Sequence, residues 1–458
     1  MTRAFASGVC ALAVIVGFIA VFSYAQEDTT EEANFFPDVA APAGTVSCFD
    51  YYSFGSVQAK LTSSVASTVS GATMTFSGTL ENANPYPIVD GALYVKVFKS
   101  RGAVNDGNGP DVVDQFFVQE GIAIPANTSV PVTFTWKVPS YAQSGDYRLA
   151  TFFTTSHKFN LLGLSFTDDV VGNTVLFSVV GEQTERVLID KASVRVNDDG
   201  YRFATFPPRV GTDPVTVRAT VRNTADTPQT ATISWNIYQW DAQQREHMVQ
   251  NEHTTVSVPA RGSVPISILV RDATYPVYYA VGTLTWKDTK SIIGVRFVRD
   301  GVDRLRINFP GVMSFPLRAG QANTLFSCLH NTSDTPILPG GRLELSLTDR
   351  NGALIAEHIY DGDVTSDMMG VASAFTPERD YDYVTLNASL YQNSSLVDSA
   401  HITYDCQAID PTICGPKGGN YSLWIVVAFI LILLLLFFVL WRFIRRAPQD
   451  AQTTMNTN

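Results

Sequence analysis

Charge is what this chain has least of. Only 16% of its 458 residues are Asp, Glu, Lys or Arg, against ~25% in an ordinary soluble domain. The net charge is −11. An acidic, charge-poor chain is a poor match for nucleic acid or anionic lipid headgroups. Histidine is scarce and scattered: His157, His247, His253, His330, His358 and His401 have no spacing suited to a shared metal. The chain contains no G-x-S-x-G, no H-E-x-x-H, no Walker loop and no G-x-G-x-x-G. Nucleophile-elbow hydrolases, zincins, P-loop enzymes and dinucleotide enzymes therefore have no footing in sequence, and no cofactor is expected. No amphipathic helical pattern stands out either.

Long apolar runs are present, at the two ends. Val9 to Phe22 is uninterrupted, and Ser23-Tyr24-Ala25 follows with small residues at the −3 and −1 positions. This predicts a signal peptide over 1–25. Leu423 to Trp441 is a second run of 19 residues, about 28 Å as a helix. Trp424 and Trp441 sit at its ends, and Arg442, Arg445 and Arg446 follow. Indoles favour the membrane interface and positive charge the cytoplasmic side. The expectation is a single-pass anchor over 421–441 and a cytoplasmic tail over 442–458, with the rest of the chain outside the cell membrane.

Cysteine is sparse, with five in all. Without Cys10, in the leader, four remain: Cys48, Cys328, Cys406 and Cys414. An even number in an exported chain suggests two disulfides. Cys328 with Cys406 would bracket one domain, a Cys406–Cys414 loop is the simple alternative, and Cys328 could also reach the Cys48 segment. Cys328 lies between core positions Ser327 and Leu329, so it should point away from that core.

Between the two apolar runs the chain is rich in Val, Thr, Ile, Phe and Tyr with period two, broken by Pro, Gly, Asn and Asp. That is a pattern of short strands and turns. It is also written three times. "NTADTP" at 223–228 and "NTSDTP" at 331–336 share a looser copy, "NANPYP", at 82–87. In each, a strand runs into Asn82, Asn223 or Asn331. A turn then ends on Pro87, Pro228 or Pro336. The phases before the turn agree: Met74/Phe76/Gly78/Leu80, Val215/Val217/Ala219/Val221 and Leu325/Ser327/Leu329. So do those after it: Leu93/Val95/Val97, Ile233/Trp235/Ile237 and Leu343/Leu345/Leu347. The segments Pro125–Pro131 and Pro259–Pro265 repeat a second turn of the form P-A-x-x-S-V-P. Each copy holds about seven strands in roughly a hundred residues, as a two-sheet sandwich requires.

These strand-N-x-x-x-x-P-strand units resemble the tandem Ig-like sandwiches of bacterial surface proteins, the cell-adhesion-related kind. The expected fold is all-β: three tandem Ig-like sandwiches over 45–180, 187–298 and 305–406, plus the C-terminal transmembrane helix. An acidic segment (26–44) precedes them and a Pro/Gly stalk (407–420) follows. Short charged linkers at 181–186 and 299–304 suggest a semi-rigid rod. The implied function is non-catalytic: adhesion or binding of a protein or surface glycan outside the cell. An accessory or scaffold subunit of a membrane-embedded secretion, pilus or transport assembly is the alternative, and a surface hydrolase a third.

One stretch carries metal-like spacing. "NDGNGPDVVD" gathers Asp106, Asn108, Asp111 and Asp114. Oxygen ligands at alternate positions can hold calcium, but the loop lacks a closing Glu, and a hairpin loop explains the same residues. Tyr51, Tyr52, Tyr238 and Trp240 are candidate contact aromatics.

Overall fold

The computed structural model describes residues 42–47, 57–84, 86–102, 108–155, 174–203, 208–211, 214–239, 243, 245–271, 274–302, 305–331, 336–365, 369–409, 429–438 and 441. The fold is all-β. In chain order the strands are β1 (Val46–Ser47), β2 (Val57–Ser63), β3 (Ser67–Val69), β4 (Thr73–Asn82), β5 (Ile88–Lys99), β6 (Asp111–Ile124), β7 (Thr128–Lys137), β8 (Gly145–Thr155) and β9 (Thr174–Val180). Next come β10 (Val187–Val196), β11 (Asp199–Gly200), β12 (Arg209–Val210), β13 (Val215–Asn223), β14 (Gln229–Gln239), β15 (Met248–Val258), β16 (Ser263–Val270), β17 (Val277–Trp286) and β18 (Thr289–Arg299). The last are β19 (Leu305–Val312), β20 (Asn323–Asn331), β21 (Ile337–Asp349), β22 (Leu354–Thr365), β23 (Met369–Phe375), β24 (Tyr383–Gln392) and β25 (Ser395–Asp405), followed by one helical turn, Cys406–Ile409.

Three apolar cores form because period-two strands place alternate residues on one face. Met74, Phe76, Leu80, Leu93, Val95 and Val97 are buried in the first core. Val215, Val217, Val221, Ile233, Trp235 and Ile237 are buried in the second, and Leu325, Leu329, Leu343, Leu345 and Leu347 in the third. Gly78 interrupts the first face for a steric reason. A Cβ there would fall 1.9 Å from the Lys60 carbonyl oxygen of the neighbouring β2.

The repeated Asn staples two turns together. The side-chain amide of Asn82 donates to the carbonyls of Tyr86 (3.0 Å), Ile124 (3.2 Å) and Pro125 (3.2 Å), and its Oδ1 accepts from the Asn84 N–H at 3.0 Å. Asn223 does the same with Thr227 (2.9 Å), Val258 (3.3 Å), Pro259 (2.9 Å) and the Ala225 N–H (2.8 Å). The backbone repeats as well: Asn127 N–H donates to the Asn84 carbonyl, and Arg261 N–H to that of Ala225. Asn127 and Arg261 both have positive φ, 53° and 50°. A buried amide that satisfies two turns of polar backbone explains why the same residue recurs. Asn331 is buried too.

The three cores do not stand in a line. β18 pairs with β6 at Ile292↔Val112, which makes one ten-stranded sheet run through the first two cores in the order β15-β14-β17-β18-β6-β5-β8-β9-β3, with β12 paired to β18. The third core folds back on the first: Phe326, Met313 and Ala372 pack against the first core, and Val89 against the third. β1 pairs with β23, Val46 opposite Gly370. Two expectations are corrected here. The expected semi-rigid rod is replaced by a folded-back arrangement, because apolar faces on β20 and β23 need a partner. The first described strand, expected in the first sandwich, completes the third sheet.

The single-pass membrane location is also corrected. Among the described residues no helix is long and apolar enough to cross a membrane. Trp441 is described and exposed. Trp424, Arg442, Arg445 and Arg446 lie outside the described residues, as does the leader.

Candidate functional site

The first and second cores meet at a cleft, and the metal-like stretch ends up in its wall. In the strand register Lys99 on β5 stands opposite Asp111 on β6 and opposite Tyr147 on β8. This row forms the floor. Trp136, Tyr141 and Gln143 close one side. Arg186, Val187, Leu188 and the Thr289–Ser291 start of β18 close the other. The cavity measures about 50 Å³.

Cations from the second region reach across to the carboxylates of the first. Arg186 Nη1 lies 2.9 Å from Asp111 Oδ2, where Arg101 of the first region also stands, its Nε 3.4 Å from Asp111 Oδ1. Lys290 Nζ is 2.6 Å from Asp114 Oδ1, while Trp136 Nε1 donates to Asp114 Oδ2 at 3.0 Å. Lys191, itself buried, donates from Nζ to the carbonyls of Asn108 (2.9 Å) and Pro110 (2.7 Å). So Asn108, Asp111 and Asp114 each meet an ammonium or guanidinium group of their own. Among the described residues no group of three or more His, Cys, Asp or Glu is placed to hold a metal ion. Asp106 lies outside the described residues.

A second clasp sits at the rim. Asp288, in the β17–β18 turn, accepts from Ser140 N–H (2.5 Å), Ser140 Oγ (2.6 Å) and Tyr141 N–H (3.1 Å). Burial alone would raise its pKa. The hydrogen bonds from Ser140 and Tyr141 outweigh that and hold the carboxyl below its usual range. Lys287 Nζ lies 3.7 Å from the Tyr141 ring centre and 4.6 Å from that of Trp286. Gln143 Nε2 donates to the Thr184 carbonyl at 2.5 Å.

Lys99 is the exception in this network. Its ammonium lies 5.8 Å from the Tyr147 ring centre, and no carboxylate pairs with it among the described residues. Desolvation lowers its pKa, and Arg186 adds to the lowering, against weaker opposing pulls from Asp111 and Asp146. Burial raises the Tyr147 phenol, which donates to the Gln143 carbonyl at 2.6 Å. Lys99, Arg186, Lys191, Asp288 and Lys290 have no motif around them in sequence. Arg186 ends the charged "GEQTER" segment, which reads as a linker.

The remaining candidates are spread out. Cys328 and Cys406 are buried and each is disulfide-bonded. Cys328 shares the strand phase of Phe326, whose side chain joins the first core. Cys48 and Cys414 lie outside the described residues. Asn82 and Pro87 are buried with Asn223, Pro228 is exposed, and Pro336 is half-buried. Tyr238 is buried beside Tyr279, Val281 and Ile292, so it packs between strands and offers no free contact surface. Tyr51, Tyr52 and Trp240 lie outside the described residues.

No protein-family model and no curated protein matches the chain. Among solved structures it is similar to trypsin-activated alpha-2-macroglobulin from Escherichia coli, with 12% identity and a TM-score of 0.33 over 78% of this chain and 24% of that one. It is also similar to Salmonella alpha-2-macroglobulin reacted with methylamine: 10% identity, TM-score 0.29, 80% of this chain and 24% of that one. Red sea bream transglutaminase gives 13% identity and a TM-score of 0.23 over 49% of this chain and 31% of that one. The chain thus spans about a quarter to a third of these proteins' lengths, and at such TM-scores none of the likenesses bears on function.

Proposed function

We propose that the chain is a non-catalytic binding protein, built from three tandem Ig-like sandwiches of the cell-adhesion-related kind, that presents a preassembled surface to a protein partner. The observation that supports this most is the state of the cleft carboxylates. Asp111, Asp114 and Asp288 are all engaged by cations or N–H and O–H donors of the neighbouring region. A general acid or base must be free to exchange its proton with substrate, whereas these groups are committed to holding two sandwiches in register. The shared sheet through β18 and β6 supports the same reading, since a fixed surface loses less freedom on binding. The net charge of −11 disfavours nucleic acid as the partner.

The test is crosslinking in intact cells followed by mass spectrometry, beside a hydrolase screen on polysaccharide and peptide substrates. A recurrent protein partner, lost when the Asp111 junction is broken, supports the reading. Turnover of a substrate that disappears on substituting Asp111 or Asp114 overturns it.

A further inference from the structure

We propose that the cleft between the first and second cores binds a carboxylate on a short alkyl stem, the side chain of a glutamate or aspartate in a peptide, between Lys99 and Arg186. The inference rests on the reading of the chain as a binding protein and names the chemistry that the cleft selects. Three cationic side chains, Lys99, Arg186 and Lys290, line the cleft beside one carboxylate, Asp111. Arg186 and Arg101 pair with Asp111 and Lys290 with Asp114, while Asp146 acts on Lys99 only at longer range. The lining cations outnumber the lining carboxylate, which favours an anion there.

The position of that charge is specific. Lys99 makes no ion pair among the described residues, and Arg186 stands close enough to repel it. Asp111 is shared by Arg186 and Arg101, so it offsets only part of the repulsion between two cations in a partly desolvated cleft, and a further anion is favoured there. Arg186 has donors to spare: one guanidinium nitrogen engages Asp111, and a guanidinium carries five N–H groups. Gly145 has φ +132°, and a Cβ there would lie 3.2 Å from Lys99 Nζ. The walls are Val113, Trp136, Val187 and Leu188, which suit methylene groups and disfavour a more heavily hydrated dianion. A cavity of about 50 Å³ has room for a carboxylate and its short stem.

The test is calorimetric titration of the full chain at constant ionic strength. Two probes are used: the blocked tripeptide acetyl-Gly-Glu-Gly-amide, and sodium propionate. The Gln version of the tripeptide and sodium chloride are the controls. The Glu peptide should bind, the Gln peptide should not, and Lys99→Met should weaken the Glu peptide about tenfold or more, as loss of a charge-assisted contact does. Lys99→Arg keeps the charge and should recover most of the binding. Because Lys99 holds no ion pair among the described residues and only a distant contact with the Tyr147 ring, Lys99→Met should melt close to the wild type, which a denaturation curve checks. Propionate binding with no peptide binding would overturn the peptide assignment. Equal affinity in wild type and Lys99→Met, or no heat from either probe, would overturn the site. A protein partner found by crosslinking alongside silent titrations would sink this inference alone and leave the binding reading standing.

Discussion

The first core meets its two neighbours in opposite ways. Toward the second core charged and polar side chains carry most of the contacts: Arg186 on Asp111, Lys290 on Asp114, Lys191 on two carbonyls, and Asp288 on the Ser140–Tyr141 turn, with Val112 and Tyr141 adding smaller apolar contacts. Toward the third they are apolar. Tyr86 and Phe326 lie with ring centres 5.6 Å apart, and Phe326 is buried within the first core itself. Charge pairs are directional and fix register, and they weaken with salt. Apolar burial is non-directional and carries more free energy per contact. The fold therefore uses one junction to set an angle and the other to hold the chain together.

The difference can be broken first at its stronger side. Phe326→Ala removes a buried ring shared by two cores and should lower stability by about 3–5 kcal/mol. Chemical denaturation should show that loss unchanged between low and high salt. A loss that shrinks in high salt would mean the third-core junction is also electrostatic.

At the polar junction, Asp111→Asn leaves Arg186 and Arg101 facing a neutral amide. The expected loss is about 1–3 kcal/mol, discounted because Arg186 is partly exposed. It should diminish as salt rises, so the same denaturation series run on both variants separates the two kinds of contact.

Acid should act on the rim clasp. The Asp288 pKa is lowered in the folded chain. A carboxyl of that kind contributes stability that is present above its unfolded pKa and is lost as pH falls through the folded one. Proteolysis or hydrogen exchange at the 139–141 turn should therefore rise below about pH 4, and Asp288→Asn should abolish that dependence while leaving exchange at Phe326 unaffected.

The smallest effect is expected from Lys287→Ala. Its contact with Tyr141 and Trp286 is exposed, and its removal should cost about 0.5–1 kcal/mol. A larger value from the melting curve would show that the rim is more desolvated than its exposure implies.

The sequence made some of this legible. Core phases are local, so Met74, Val217 and Leu345 fall where period two puts them. The repeated Asn is legible as a turn, since Asn82 and Asn223 bond residues four positions on. Its reach to the carbonyls of Ile124 and Val258 is visible only as a second repeated segment. The junctions were not legible, because their partners are far apart in the chain. Asp111 and Asp114 look like ligands because sequence shows their spacing but not the Arg186 and Lys290 that meet them from 75 and 176 residues away. The pairing of Ile292 with Val112 joins two sheets through a single bridge, which no periodicity announces. The C-terminal apolar run illustrates the converse: hydropathy alone predicted an anchor, and among the described residues no helix is long and apolar enough to cross a membrane.

The pairing of β1 with β23 has a consequence in time. Val46 emerges from the ribosome early, and its partner Gly370 is made only after the first and second cores are complete in sequence. At about 5–20 residues per second the wait is on the order of tens of seconds. Until then β23 and β20 do not exist, and the early strand has nothing to dock on. The first and second cores can close co-translationally, while the third sheet gains β1, made early, only after β23 is made, so that a product truncated before β23 leaves β1 unpaired.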